Sequence, residues 1–242
     1  TYNHVNIISK KTSLYITFIT LFFSHLGAKE PELLINTEFN CISMDSSIRS
    51  DKLYYIQDEK PESIRVNNLF RSPVYKYKGV KTISFYRQGP NGTHELAATA
   101  AINPRLKKTC LLFVSVASNT GAKKYKIIVF DDNTNDYPAG SYRFYNLTPE
   151  PIAVKFGDTT FKISPKKTKT HIRKTTDALT IPIRIVMMEG DKLKPLYSNE
   201  WPQKKMNRSL VFIRKSGAKE SGKIKVKVFA DIVLPPKAPG AK

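Results

Sequence analysis

The residues able to carry chemistry in this 242-residue chain are few and far apart. Its four histidines are His4, His25, His94 and His171, and no two stand at the spacing with which a zinc site gathers its ligands. His94 is followed by Glu95, but not by the second histidine one helical turn on that a zinc protease needs. Cys41 and Cys110 also lack metal-ligand spacing. They leave two options open, a disulfide in an exported chain or a buried free thiol at each position. There is no nucleophile elbow and no glycine-rich phosphate loop, and nothing picks out two of the 20 acidic residues as a glycosidase pair. These absences predict a protein that is not an enzyme and takes no cofactor.

Two other groupings have a plain reading. Asp131, Asp132, Asn133, Asn135 and Asp136 crowd one junction, and oxygen-rich loops can hold calcium. The turn glycine and the distal glutamate of the helical calcium loop are missing, however, with Tyr142 at the twelfth position, so a turn built on Asx side chains is expected and no metal. Trp201 is expected to anchor packing and not to stack on a sugar.

What the chain has in excess is positive charge, 40 Lys and Arg against 20 Asp and Glu, a formal +20. Residues 29–135 hold 16 basic and 11 acidic residues, whereas residues 136–242 hold 22 and 9. Part of that excess lies in 157–177 (GDTTFKISPKKTKTHIRKTTD), with Lys162, Lys166, Lys167, Lys169, His171, Arg173 and Lys174. In an extended conformation Lys167, Lys169, His171 and Arg173 project from one side. These seven are the candidate ligand-binding residues, suited to an anionic envelope polymer or protein and to binding that weakens with salt. The competing expectation is a solvated hairpin whose lysines keep an exposed edge from pairing. Nucleic acid fits poorly, because only Phe161 is interleaved with these charges as a stacking aromatic.

The elements that must position these residues are strands. Tyr, Phe, Val, Ile and Thr dominate the apolar runs, and branched or aromatic side chains suit a pleated surface. Leu53–Ile56, Val74–Lys78, Thr82–Arg87, Leu179–Met188 and Lys223–Phe229 read as strands, with Gly89-Pro90-Asn91-Gly92 and Glu189-Gly190-Asp191 as turns. The segment Leu111–Asp132 recurs at Leu210–Asp231 with an offset of 99, with Phe113/Phe212, Val129/Val228, Phe130/Phe229 and Asp132/Asp231 identical. A shorter match sets Ser63–Phe70 against Ser141–Thr148 at an offset of 78. The repeat therefore predicts an all-β fold of two tandem antiparallel β-sandwich (Ig-like) units, 29–135 and 136–234. On this alignment 157–177 is a basic insert of the second unit alone, and 29–62 is a lead-in to the first. One larger sandwich made from both units is the alternative.

Residues 1–28 read as a signal peptide, with Lys10 and Lys11 ahead of the apolar run Leu14–Leu26 and a small-residue exit at Gly27-Ala28, the alternative being a short membrane anchor or a buried strand. That predicts an exported chain, periplasmic, in the envelope or secreted, with no transmembrane helix in its mature part. Residues 235–242 read as an extended Pro-rich tail. With Tyr137-Pro138-Ala139-Gly140-Ser141-Tyr142-Arg143-Phe144 running on to Asn146-Leu147-Thr148, the chain resembles uncharacterised exported bacterial proteins in which such a segment opens a β-rich repeat. The resemblance covers roughly 63–231 and implies the repeated sandwich-like fold, with no activity or site residues attached. The expected function is that of an exported, non-catalytic binding protein using the basic surface of its second unit. The alternative is an assembly component that acts through exposed strand edges.

Overall fold

The computed structural model describes residues 33–116, 124–172, 180–189, 192–202, 206–218 and 220–233. The leader 1–28, Arg173, Lys174 and the tail 235–242 lie outside the described residues. Most strands lie on the branched and aromatic runs. The first eight are β1 (Leu34–Ser43), β2 (Leu53–Gln57), β3 (Lys60–Ile64), β4 (Tyr75–Val80), β5 (Thr82–Gln88), β6 (His94–Ala101), β7 (Lys108–Val116) and β8 (Lys124–Asp131). The next eight are β9 (Ser141–Asn146), β10 (Ile152–Phe156), β11 (Thr159–Ile163), β12 (Thr168–Ile172), β13 (Thr180–Glu189), β14 (Lys192–Pro202), β15 (Asn207–Lys215) and β16 (Ile224–Ile232). Among the described residues the only helical turns are 3-10 turns at Ser46–Ser50 and Pro90–Gly92, and no helix is long and apolar enough to cross a membrane.

The strands form four sheets of four, ordered β4-β1-β7-β8, β3-β2-β5-β6, β12-β9-β15-β16 and β11-β10-β13-β14. Adding eight to each strand of the first pair of sheets gives the second pair, so two sandwich-like units share one topology. Pairing is antiparallel except for β1 with β7 and β9 with β15, which run parallel.

The repeat stands in a different register from the one its identities suggest. Cys110 pairs with Phe130 in the first unit and Leu210 with Phe229 in the second, so β8 and β16 match at 99 but β7 and β15 match at 100. The face each residue takes agrees. Leu111 and Phe113 enter the first unit's core, as Val211 and Ile213 enter the second's, whereas Leu210 and Phe212 point the other way. A one-residue slip moves every side chain to the opposite face of a sheet. The offset of 78 matches no shared element, because Ser63–Phe70 is the end of β3 and a loop, while Ser141–Asn146 is β9, whose counterpart is β1. The lead-in thus supplies the first unit's opening strands. The stretch 157–177 is not an addition to the second unit, since β11 and β12 occupy the places of β3 and β4.

Each unit closes around its own apolar core. The first gathers Phe39, Cys41, Tyr55, Ile83, Phe85, Leu111 and Phe113, and the second Tyr142, Phe144, Val154, Phe156, Ile183, Val211 and Ile213. Trp201 stacks near Tyr142 and Phe144 and donates its indole N–H to the Tyr197 hydroxyl at 3.1 Å, a packing anchor. Tyr77 is likewise core. On β16 the expected alternation holds only in part, since Ile224 is buried while Val228 is exposed.

Candidate functional site at the seam between the units

A third apolar cluster joins the units: Ile42, Cys110, Leu112 and Phe130 from sheet β4-β1-β7-β8, and Tyr145, Leu210, Phe212 and Phe229 from sheet β12-β9-β15-β16. The parity of the strands puts alternate residues of β1, β7, β9 and β15 into this seam and the others into the unit cores. Cys41 and Cys110 therefore lie on opposite faces of one sheet and are free thiols. Burial pushes both upward in pKa, Cys110 to about 12.

At one end the seam is ionic. Asp132, 4% exposed, accepts from Asn40 at 3.1 Å, from Arg71 at 2.7 Å and from Arg208 at 3.1 Å. Asp231, its counterpart in the repeat, accepts from Arg208 Nε at 3.0 Å and Nη2 at 2.9 Å, with Arg71 at 3.6 Å. Two arginines and two aspartates thus cancel around a cavity of about 150 Å³. The linker is bound into this end. The Tyr137 ring lies 4.6 Å from the Arg143 guanidinium and 4.8 Å from that of Arg208. Arg143 donates to the carbonyls of Asp131 and Asp136, and the backbone N–H groups of Asn133 and Asn135 close onto Asp131 and Asn133 side chains at 3.0 and 3.1 Å. The acidic junction is therefore a set of Asx turns clamped by arginine.

At the other end the seam opens into a cleft of about 970 Å³. Its floor is apolar, with Met44, Val114, Ile128, Phe130, Tyr145 and Leu147. Lys126, Lys166, Lys167 and Arg214 stand on its walls with Asp45 and Glu220. Both acids are engaged. Asp45 accepts the Ser115 N–H at 3.0 Å, and Glu220 takes both arms of Arg214 at 2.7 Å together with the Gly217 N–H at 2.7 Å. The Arg214 guanidinium holds the Glu220 carboxyl down to about 2. The three lysines are exposed, with no carboxylate partner among the described residues. Lys225 and Lys227 share a strand face with Phe229, the Lys227 ammonium lying 5.7 Å from its ring, so further positive charge stands on this side of β16.

The turn that presents Lys166 and Lys167 is fixed from beneath by Asn146. The backbone of Asn146 bonds Lys166 N–H at 2.8 Å and Lys167 carbonyl at 3.1 Å, and its side-chain amide donates to the carbonyls of Glu150 and Ile163 at 2.8 and 3.0 Å. Its side-chain oxygen accepts from the Thr148 N–H and hydroxyl at 2.9 and 2.7 Å. Lys166 sits at φ 59°, a region in which a Cβ is crowded, so the turn places a lysine where the backbone favours glycine.

Of the seven candidate residues the five that are described are not brought together, and Arg173 and Lys174 lie outside the described residues. Lys166 and Lys167 reach the cleft. Lys162 on β11 alternates with the core residue Ile163 and lies on the outer face of its sheet. Lys169 and His171 are on the opposite parity of β12 from Thr170, whose hydroxyl accepts from Arg143, and His171 stacks on Phe161 with its edge to Phe156. Lys126 and Arg214 were missed, because the charge count followed a run along the chain and these two come from strands far away in sequence. The clue was present in Lys126, a cation that directly precedes the apolar run Ile127–Phe130 of β8.

No protein-family model and no curated protein matches the chain. Among solved structures, it aligns with the two C2 domains of extended-synaptotagmin 2 at 12% identity over 96% of this chain and 98% of that one. The TM-score of 0.24 lets this likeness carry no argument.

Proposed function

We propose that the chain is a non-catalytic binding protein, exported as its leader suggests, that takes an anionic partner of the cell envelope in the cleft between its two units. The observation that carries this reading is the pairing of an apolar floor with three lysines that no carboxylate neutralises among the described residues. The ionic end of the seam is a poorer candidate, since its two arginines already face two aspartates. A partner with an apolar body and acidic groups would cover the floor and meet the lysines. The apolar burial would supply affinity, and the charges orientation and salt dependence.

The test compares two triple variants of equal charge. Lys126→Ala with Lys166→Ala and Lys167→Ala removes the cleft cations, and Lys155→Ala with Lys162→Ala and Lys169→Ala removes three elsewhere on the second unit. On a heparin column the cleft variant should elute at markedly lower salt than the control. Equal elution of the two would defeat the reading.

A further inference from the structure

Along three strands the seam changes character in one order. The paired residues of β7 and β8 that face it run Cys110/Phe130, Leu112/Ile128 and Val114/Lys126 from the buried middle outward. On β15 and β16 the pairs run Leu210/Phe229, Phe212/Lys227 and Arg214/Lys225. Lys126, Ile128 and Phe130 therefore share one face of β8, the cation outermost, with roughly 14 Å of strand from the first to the last. Phe130 and Tyr145, with ring centroids 4.0 Å apart, are the buried members of the cleft lining, and Met44, Val114, Ile128 and Leu147 are half-buried. Lys126, Lys166 and Lys167 are exposed. Apolar side chains thus lie within and cations at the rim. The acids at that rim are already taken, Asp45 by the Ser115 N–H and Glu220 by Arg214.

We propose that the occupant is a single-chain anionic amphiphile, an alkyl tail bearing one phosphate or carboxylate, held with its tail inward. This rests on the cleft being the anion site, and it narrows the partner from any anion to one with its charge at one end. The order of the rows carries the argument. A tail lying over Ile128 and Leu147 toward Phe130 and Tyr145 leaves its head at the level of Lys126, Lys166 and Lys167. An acidic polymer or peptide spreads its charges along its length, so it would leave the apolar rows wet or set carboxylates against Ile128. A free anion would use the lysines and ignore everything beneath them. Lysine is a compact charge on a flexible stem, so the head is chosen by charge more than by shape. Each methylene moved from water onto the apolar rows tightens binding about fourfold, which puts most of the affinity in the tail.

The probes are hexyl, octyl and decyl monophosphate below their micelle concentrations, octyl glucoside as a neutral counterpart, and inorganic phosphate, each titrated calorimetrically into the full chain. Tail burial predicts saturable binding that tightens about two- to fourfold per methylene, and no binding of inorganic phosphate at millimolar concentration. The variant carrying Lys126→Ala, Lys166→Ala and Lys167→Ala should bind octyl phosphate tenfold or more weakly and octyl glucoside as the parent does. In NMR spectra the terminal methyl of octyl phosphate should contact the Phe130 and Tyr145 rings. Affinity independent of tail length, no binding of octyl phosphate at millimolar concentration, methyl contacts confined to the lysine rim, or tighter binding of an octapeptide alternating valine with aspartate would each overturn the amphiphile. If the cleft-lysine variant nonetheless loses heparin retention relative to its control, the cleft remains the anion site. If both variants elute together, the site itself is lost as well.

Discussion

Asp132 is a single carboxylate with three donors from three parts of the chain: Asn40 on β1, Arg71 in the loop after β3, and Arg208 on β15. Removing one partner from a buried charge cluster strands the others, at about 3–5 kcal/mol. Asp132→Ala should therefore lower the thermal midpoint by roughly 6–20 °C, and Arg208→Met should behave similarly by leaving both aspartates to Arg71. A scan showing less than a ~3 °C change would mean that the cluster is not coupled to stability. Asn146 is the second such residue, buried and making four side-chain hydrogen bonds. Asn146→Ala should cost about 3 kcal/mol or more, because each buried group left unpaired costs about 1–3 kcal/mol, and it should loosen the Lys166–Lys167 turn. The Asn146-Leu147-Thr148 triplet carries a glycosylation signal, but a folded chain offers that amide no access. The thiols make the third case. Cys41 and Cys110 are 0% exposed and raised in pKa by burial, so they should resist alkylation in the native state and react together on unfolding. A thiol whose folded pKa is raised adds stability that is intact below its unfolded value of about 8.5 and fades above it. Stability should thus decline as pH rises from about 9 toward 12.

At the scale of elements, the loop between β15 and β16 is closed by Glu220, which bridges Arg214 and the Gly217 N–H. Its carboxyl is depressed to about 2 by Arg214, so the closure is fully present above the usual carboxylate range and is lost only as pH falls toward 2. The Gly217 amide should keep its shift in an NMR titration from about pH 7 to 4 and move below about 3, whereas Glu220→Gln should show the open position throughout. Elements were also where the sequence was most legible. The runs Leu53–Ile56, Val74–Lys78 and Thr82–Arg87 are strands within a residue or two, because alternation and turn residues are local signals. Register was less legible. Phe130/Phe229 and Asp132/Asp231 are true counterparts, but Phe113 and Phe212 are identical residues in different cores. A loop shorter by one residue separates the two cases, and identity carries no record of which face a side chain takes. The cleft was hidden for a related reason. Its cations come from β8, the 164–167 turn and β15, which only the seam brings near one another.

At the scale of the whole molecule, the seam runs from buried charge through aromatic packing to an open cleft. Phe130, Tyr145 and Phe212 pack at its middle with ring centroids 4.0–5.4 Å apart, Tyr145 stacked on Phe212 and Phe130 tilted against both. Such contacts, with Tyr137 held between two guanidinium groups, tie the units into one cooperative body. Calorimetry should show a single transition whose van't Hoff and calorimetric enthalpies agree. Two resolved peaks would mean that the units melt separately.

Because both sheets at the seam are greasy on each of their sides, neither half can be a free-standing module. A fragment ending near residue 136 would lay Ile42, Cys110, Leu112 and Phe130 open to water, and a fragment starting there would do so with Tyr145, Leu210, Phe212 and Phe229. Each alone should clump or dimerise through that bared side. Mixed together, they should reassemble into a soluble heterodimer with the parent's proportions, so the duplication has made two partners that are no longer able to live apart.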